Sequence, residues 1–224
     1  MTWNIHFGKT AQNVLNLEAQ ARVMADSRAD VILLQEASTW DDDLPNRFPQ
    51  LLESLTGRTW YRVFAAHDGG TIGEGTLILS RLPFVSSSTA NFYDRGFSRV
   101  AVSVGGVTVN IFNGHLVYFN TRRRTSQLNA WMAWMRQFDG PEIAGGDFNA
   151  WWGESWIATV ETQYSDTWQD ITGSDQNGYT LNNVRFDYLF RAFDTAWRLT
   201  PITCVVIPTS ASDHRPLVAE YALR

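Results

Sequence analysis

The feature that most restricts the fold is a succession of short apolar runs, rich in β-branched and aromatic residues, that recurs along the whole chain. Runs of about four to eight such residues, bounded by Gly, Asn or Asp, form strands because branched and aromatic side chains suit a pleated surface. Strands are expected at Thr2–His6, Val31–Gln35, Tyr61–Ala65, Thr76–Ser80, Val100–Val104, Val107–His115, Glu142–Ala144, Arg185–Phe190, Cys204–Ile207 and Leu217–Tyr221. Within "VSVGGVTVNIFN", Gly105-Gly106 reads as a two-residue hairpin turn. Helical spacing is clearest at Asn13–Ala25 and Thr125–Phe138; in the second, Leu128, Trp131, Met132 and Met135 return every three or four residues. A further helix in "DDDLPNRFPQLLESLTG" is expected to end near Gly57. No repeat or Pro/Gly/Ser linker divides the sequence, so one domain over residues 1–224, built from packed sheets flanked by helices, is the expectation.

Composition narrows the partners. The chain carries a formal charge of −5 and a pI of about 5.3, and its one local basic run is "TRRRT", Arg122 to Arg124. Broad duplex binding through phosphates is disfavoured, whereas a smaller phosphorylated substrate is compatible. Cys204 is the sole cysteine, which excludes an internal disulfide framework. No run reaches the ~18 apolar residues a spanning helix needs. The first strand begins almost at residue 1, as expected of a compact gene or of a catalytic domain cut from an exported or anchored protein. The chain as given is expected to be soluble, with its compartment open and a monomer favoured.

Polar residues recur at the strand ends, where a rigid scaffold can aim them into one site. Asn4 lies in "TWNIH", Glu36 closes "VILLQE" and His115 ends the Gly-Gly hairpin. In "AGGDFNAWWGES", Gly145-Gly146 read as a turn that presents Asp147 and Asn149. Asp187 interrupts "RFDYLF", and Asp213-His214 form "SDHRP" before the last strand. Each has an ordinary alternative: Asn4 as a backbone partner, His115 as a core histidine, and Asp147, Asn149 and Asp213 as turn formers. Glu36 and Asp187 are harder to explain that way, since a carboxylate on a buried strand is costly unless paired or metal-bound.

Taken in order, "TWNIH", "LQE", "NGHL", "GGDFNA", "RFDYLF" and "SDHRPL" resemble the motifs of the endonuclease/exonuclease/phosphatase superfamily of metal-dependent phosphoesterases, over residues 2 to 217. The resemblance implies a four-layer α/β sandwich of the DNase I-like kind, with two central mixed β-sheets and the site at one end. It implies Glu36 as principal ligand of Mg²⁺ or Mn²⁺, assisted by Asn4 and Asp213. Asp147 would orient or deprotonate the attacking water and Asn149 would fix the phosphate, with the same two residues available to a second ion. His214, held by Asp187, would contact the phosphoryl oxygen or act as general base. His115 would stabilise transition-state charge or protonate the leaving group, paired with Glu74 of "GEGTLILSR".

The branch it resembles has its histidine on the hairpin and an Arg-x-x-Gln at a helix start, matched here by Arg124 and Gln127, with Arg124 assigned to substrate. That branch includes nucleases, sphingomyelinases and inositol-phosphate and lipid-pyrophosphate phosphatases. Trp151, Trp152 and Tyr118 either wall the site against a base or lipid chain or close the core beneath their loops. A nuclease or phosphodiesterase on DNA or RNA is the leading expectation, with a phosphatase or diesterase on lipid-linked or small phosphates as the alternative and a non-catalytic binding module last. No obligate protein partner is indicated.

Overall fold

The computed structural model describes residues 1–40, 42–193 and 199–224. Its strands are β1 (Thr2–Asn4), β2 (Val31–Ser38), β3 (Tyr61–Ala66), β4 (Glu74–Ser80), β5 (Phe84–Asn91), β6 (Gly96–Val104), β7 (Val107–His115), β8 (Glu142–Asp147), β9 (Tyr164–Asp166), β10 (Asp187–Ala192), β11 (Leu199–Val206) and β12 (Leu217–Leu223). The helices are α1 (Leu17–Asp26), α2 (Leu44–Thr56), α3 (Thr121–Met135), α4 (Ser155–Val160) and α5 (Thr167–Thr172). Two six-stranded mixed sheets form, in the orders β11-β12-β1-β2-β4-β3 and β5-β6-β7-β8-β10-β9.

Period-two alternation builds the layers. On β2, Ile32 and Leu34 join α1 and α2 through Met24, Phe48 and Leu52. Leu33, between them, faces the other sheet and meets Ile78, Val100 and Leu189. On the far side, Leu128, Trp131, Met132 and Met135 of α3 pack on Phe112, Ala144 and Phe190. The result is the four-layer α/β sandwich, helices outside and two sheets within. A buried polar bridge locks the sheets together: Gln35 donates to Asn113 Oδ1 at 2.7 Å, and Asn113 donates to the carbonyls of Leu34 and Leu77. Made in a low-dielectric interior, these bonds fix how the sheets face each other.

The Gly105-Gly106 turn forms with both φ values positive, as a primed hairpin turn requires, and α2 ends at Gly57. Helix starts move to their caps: Asn16 and Asn120 accept from the backbone of Ala19 and Arg123, so α1 begins at Leu17 and α3 at Thr121. The first strand stops at Asn4, since His6 and Phe7 have positive φ in a short 3₁₀ turn. Edge strands β5 and β9 add to the expected set; the serine run of "FVSSSTAN" carries little apolar signal. Strand β11 begins earlier than the expected Cys204–Ile207, at Leu199.

One correction bears on the site. Gly145 and Gly146 are not a turn; they continue β8 up to Asp147. They are glycines because their neighbours press close: a Cβ on Gly146 would lie 1.9 Å from the Gly114 carbonyl oxygen. The actual turn comes at Asn149, with φ 48°.

Candidate active site

At one end of the sandwich the strand ends line up. Parallel pairing sets His115 of β7 beside Asp147 of β8, and antiparallel pairing sets Asp147 beside Asp187 of β10. Adjacent strands run ~4.8 Å apart, so register alone places these three side chains in a row. On the facing sheet Asn4 pairs with Gln35, next to Glu36. Glu36 sits where the β2–β4 register shifts, with φ 56°. A bulge of this kind re-aims a side chain, and a non-glycine residue with positive φ is tolerated only where surrounding structure enforces it.

Across the gap, Asn4 Nδ2 donates to Glu36 Oε1 at 2.9 Å and to Asp147 Oδ2 at 3.1 Å. Asn4 thus bridges two carboxylates from different sheets. Burial raises Glu36 to about 7 and Asp147 to about 6, because desolvation disfavours the charged form. Asn149 donates its backbone N–H to Asp147 Oδ1 and its side-chain amide to the Leu116 carbonyl, tying the loops after β7 and β8 together.

His214 is held by Asp187, Nδ1 to Oδ2 at 2.8 Å, with Nε2 4.0 Å from Asp147. Burial lowers its pKa, but Asp187, Asp147 and Asp213 outweigh that and raise it to about 10. An imidazolium therefore lies among these carboxylates near neutral pH. The trio Asp147, Asp187 and His214 brings two carboxylate oxygens and a ring nitrogen within 4.8 Å of one another. Asp213 accepts from Ser212 and the His214 backbone, and lies 3.8 Å from His6.

The expected Glu74–His115 pair does not form. Glu74 turns instead to His67, 3.3 Å away, and Arg95, 3.2 Å away. The His67 ring packs against His115 with centroids 5.9 Å apart. His67 Nδ1 accepts the Gly96 N–H at 3.0 Å, which leaves the proton on Nε2, facing Glu74. Burial alone would raise Glu74, yet His67 and Arg95 hold it below its ordinary value. Buried His115 has no partner on Nδ1, and its Nε2 is 3.7 Å from Asp147. Desolvation, then Arg95, His67 and His214, push its pKa well down.

Arg124 does not face substrate. It is buried, donates to the Val117 and Tyr118 carbonyls and stacks on Trp156. With Gln127, which holds the Val117 N–H, it secures the segment after His115. Of the other two arginines in the run, Arg123 pairs with Asp94. Trp151 and Trp152 do not close the core, a task met by Phe148 and Ala150; both are exposed and packed edge to face at 5.5 Å. Tyr118 and Phe119 are exposed as well.

Sequence reasoning misses His67, Arg95 and His6. All four histidines of the chain, at 6, 67, 115 and 214, gather at this end. Their separation along the chain conceals this, and the one available signal is the small count, which invites asking where each strand ends.

The sequence profile described as the endonuclease/exonuclease/phosphatase family matches residues 1–214. A UPF0294 protein of Vibrio cholerae is 33% identical over 132 residues, covering 57% of this chain and 44% of its own length, so the match spans under half of that relative. Among solved structures, an endonuclease/exonuclease/phosphatase family protein from Leptotrichia buccalis superposes with TM-score 0.82 at 17% identity, over 99% of this chain and 98% of that one. D. rerio TDP2, complexed with a single-strand DNA product, gives TM-score 0.73 at 22% identity, over 99% and 96%. At these identities the likeness is one of fold.

Proposed function

The chain belongs to the endonuclease/exonuclease/phosphatase family, and from that premise we propose that it is a phosphoesterase that uses a divalent ion and splits a phosphodiester by direct attack of water. The observation that carries the reading is the meeting of Asn4, Glu36, His115, Asp147, Asp187 and His214 at facing ends of two sheets. Hydrolysis of a phosphate ester needs positive charge on the phosphoryl oxygens, an aligned water and help for the leaving oxygen.

The donor set fits a hard cation. Glu36 and Asp147 are oxygen donors with raised pKa values, bridged by the Asn4 amide. Glu36, Asn4 and Asp213 would hold Mg²⁺ or Mn²⁺, with Asp147 and Asn149 open to a second ion. Such an ion, when bound, supplies charge to the phosphoryl oxygens.

The chain's own residues do the rest. Asp147, near 6, is poised to orient a water and accept its proton. His214, held charged by Asp187, cannot act as a base near neutral pH; it donates to a phosphoryl oxygen as a fixed cation. His115 is a neutral imidazole and offers one ring N–H to the developing charge on the leaving oxygen.

Two substrate classes are compatible. Nucleic acid is supported by the TDP2 complex with single-strand DNA product, and a lipid-linked or small phosphate by the acidic pI of about 5.3. Hydrolysis of bis-p-nitrophenyl phosphate and p-nitrophenyl phosphate with Mg²⁺, Mn²⁺ or EDTA, beside Glu36→Ala, tests the reading. Metal-dependent cleavage of the diester, lost in the variant, is expected. Cleavage that is indifferent to EDTA would sink the metal assignment.

A further inference from the structure

We infer that the mouth of this site docks on an apolar, electrically neutral lipid surface, and that the ester it cleaves belongs to a phospholipid-type amphiphile. The inference rests on the phosphoesterase reading and names its substrate class.

Large exposed apolar side chains follow the site residues strand end by strand end. Trp40 comes four residues after Glu36, Tyr118 and Phe119 come just after His115, and Trp151 and Trp152 just after Asn149. Tyr93 sits in the turn joining β5 to β6, and Ile72 just before Glu74. Trp40 is 67% exposed and Phe119 77%. At the opposite end the exposed apolar residues include Tyr61, Val104 and Phe193, and Val104 lines a cleft between the sheets together with Val205 and Val218. Exposed apolar side chains gathered round one opening mark a binding surface.

The mouth loops are built to hold these side chains out. Glu154 accepts the Trp151 N–H, Arg124 ties down the Val117 and Tyr118 carbonyls, and Asn149 links the two loops. Their exposure is therefore part of the ordered fold.

Charge selects the occupant. Four of the mouth loops carry a carboxylate near their apolar residues, Asp43 by Trp40, Asp68 by Ile72, Asp94 by Tyr93 and Glu154 by Trp152, while the Tyr118–Phe119 loop leads into Arg122–Arg124. Arg95 is bound to Glu74, Arg123 to Asp94, and Arg124 to backbone carbonyls. A nucleic-acid strand, with one negative charge per nucleotide, would meet acid on four of these loops, and in the basic run Arg123 and Arg124 are already engaged by Asp94 and by backbone carbonyls. A zwitterionic lipid surface carries no net charge to be repelled. Ile72, and the exposed Val14 and Leu15 in the loop after Asn4, are aliphatic and offer no ring for a base to stack on, yet insert readily among acyl chains.

The test is flotation of the full chain with phosphatidylcholine vesicles, with tryptophan fluorescence read against vesicles whose acyl chains carry bromine. Binding and quenching are expected. Trp151→Ser with Trp152→Ser, and separately Phe119→Ser, should each weaken vesicle binding about tenfold or more, with unchanged circular dichroism. Protein that stays in solution with the vesicles overturns the inference, as does unquenched fluorescence. Preferential binding of a fifteen-nucleotide oligodeoxythymidine, with vesicles ignored, also overturns it. Hydrolysis of the soluble diester by the unaltered chain reports on the phosphoesterase reading by itself. Diester cleavage without vesicle binding removes only the lipid inference, and vesicle binding without cleavage removes only the enzymatic reading.

Discussion

His115 and His214 lie at the same end of the sandwich, both buried and both within about 4 Å of Asp147. Their charge states nevertheless diverge. His214 has Asp187 in direct contact with Nδ1, and its pKa rises to about 10 despite burial. His115 has no partner on Nδ1, faces Arg95 and His67, and is pushed well below its ordinary value. Burial alone moves a histidine toward neutrality, while a bonded carboxylate in a low-dielectric setting overrides it. The difference arises because Glu74 is taken by His67 and Arg95. One site thus holds an imidazolium for an oxyanion and a neutral imidazole beside it.

The strongest way to break this comparison is to remove the cation. His214→Ala is expected to lower kcat by ~10²-fold or more, and Asp187→Asn nearly as much, because the carboxylate keeps the ring charged and oriented. The double variant should lose little beyond His214→Ala, since the two act as one unit; losses that multiply would show independent roles. Steady-state kinetics on the diester, with fold checked by circular dichroism, decides it.

Metal binding should come next in size. An ion at about 100 times its Kd adds ~2.7 kcal/mol to stability, roughly 5–10 °C in Tm for a chain of this length. Glu36→Ala should erase the Mg²⁺-dependent shift; an undiminished shift would place the ion elsewhere. His115→Asn should cost less than loss of His214, about 10- to 100-fold in kcat, as suits a neutral donor. Equal losses would mean that His115 works as a cation after all.

The smallest effects are on stability against pH, and their signs differ. Folded His214 keeps a proton that the unfolded chain releases near 6.5, so its contribution is present below 6.5 and lost as pH rises through about 10. His115 refuses a proton that the unfolded chain accepts below 6.5, so its effect appears as stability lost toward acid. Glu36 and Asp147, raised to about 7 and about 6, work the other way over the acid range, losing stability as pH rises through those values. Denaturant midpoints against pH should show His214→Gln flattening the alkaline limb and His115→Gln flattening the acid limb; parallel curves for the two variants would refute the assigned charge states.

Much of the fold and part of the site are legible in the amino-acid sequence. Strands with residues at spacing two, the hairpin glycines, α2 ending at Gly57 and the ordered motifs from Asn4 to His214 each depend on a few neighbouring residues. The Asp187–His214 contact follows from the resemblance and is present at 2.8 Å. Sequence reasoning fails where a residue's role depends on something distant along the chain. Gly145 and Gly146 look like a turn because nothing local reveals the Gly114 carbonyl pressing on them. Arg124 looks like a phosphate ligand because nothing local reveals that it caps the carbonyls after His115. Trp151 and Trp152 fit either core or rim, and only the filled space beneath them decides for the rim.

The sequence by itself determined the element types, the layered class and which polar residues stand at strand ends, since backbone preference and periodicity are local properties. Tertiary structure alone decided the partners: Glu74 with His67 rather than His115, and Asn4 between Glu36 and Asp147. A hydrogen bond is made or missed over a few tenths of an ångström, and that distance is set by how two sheets pack across a buried bridge, not by spacing along either strand.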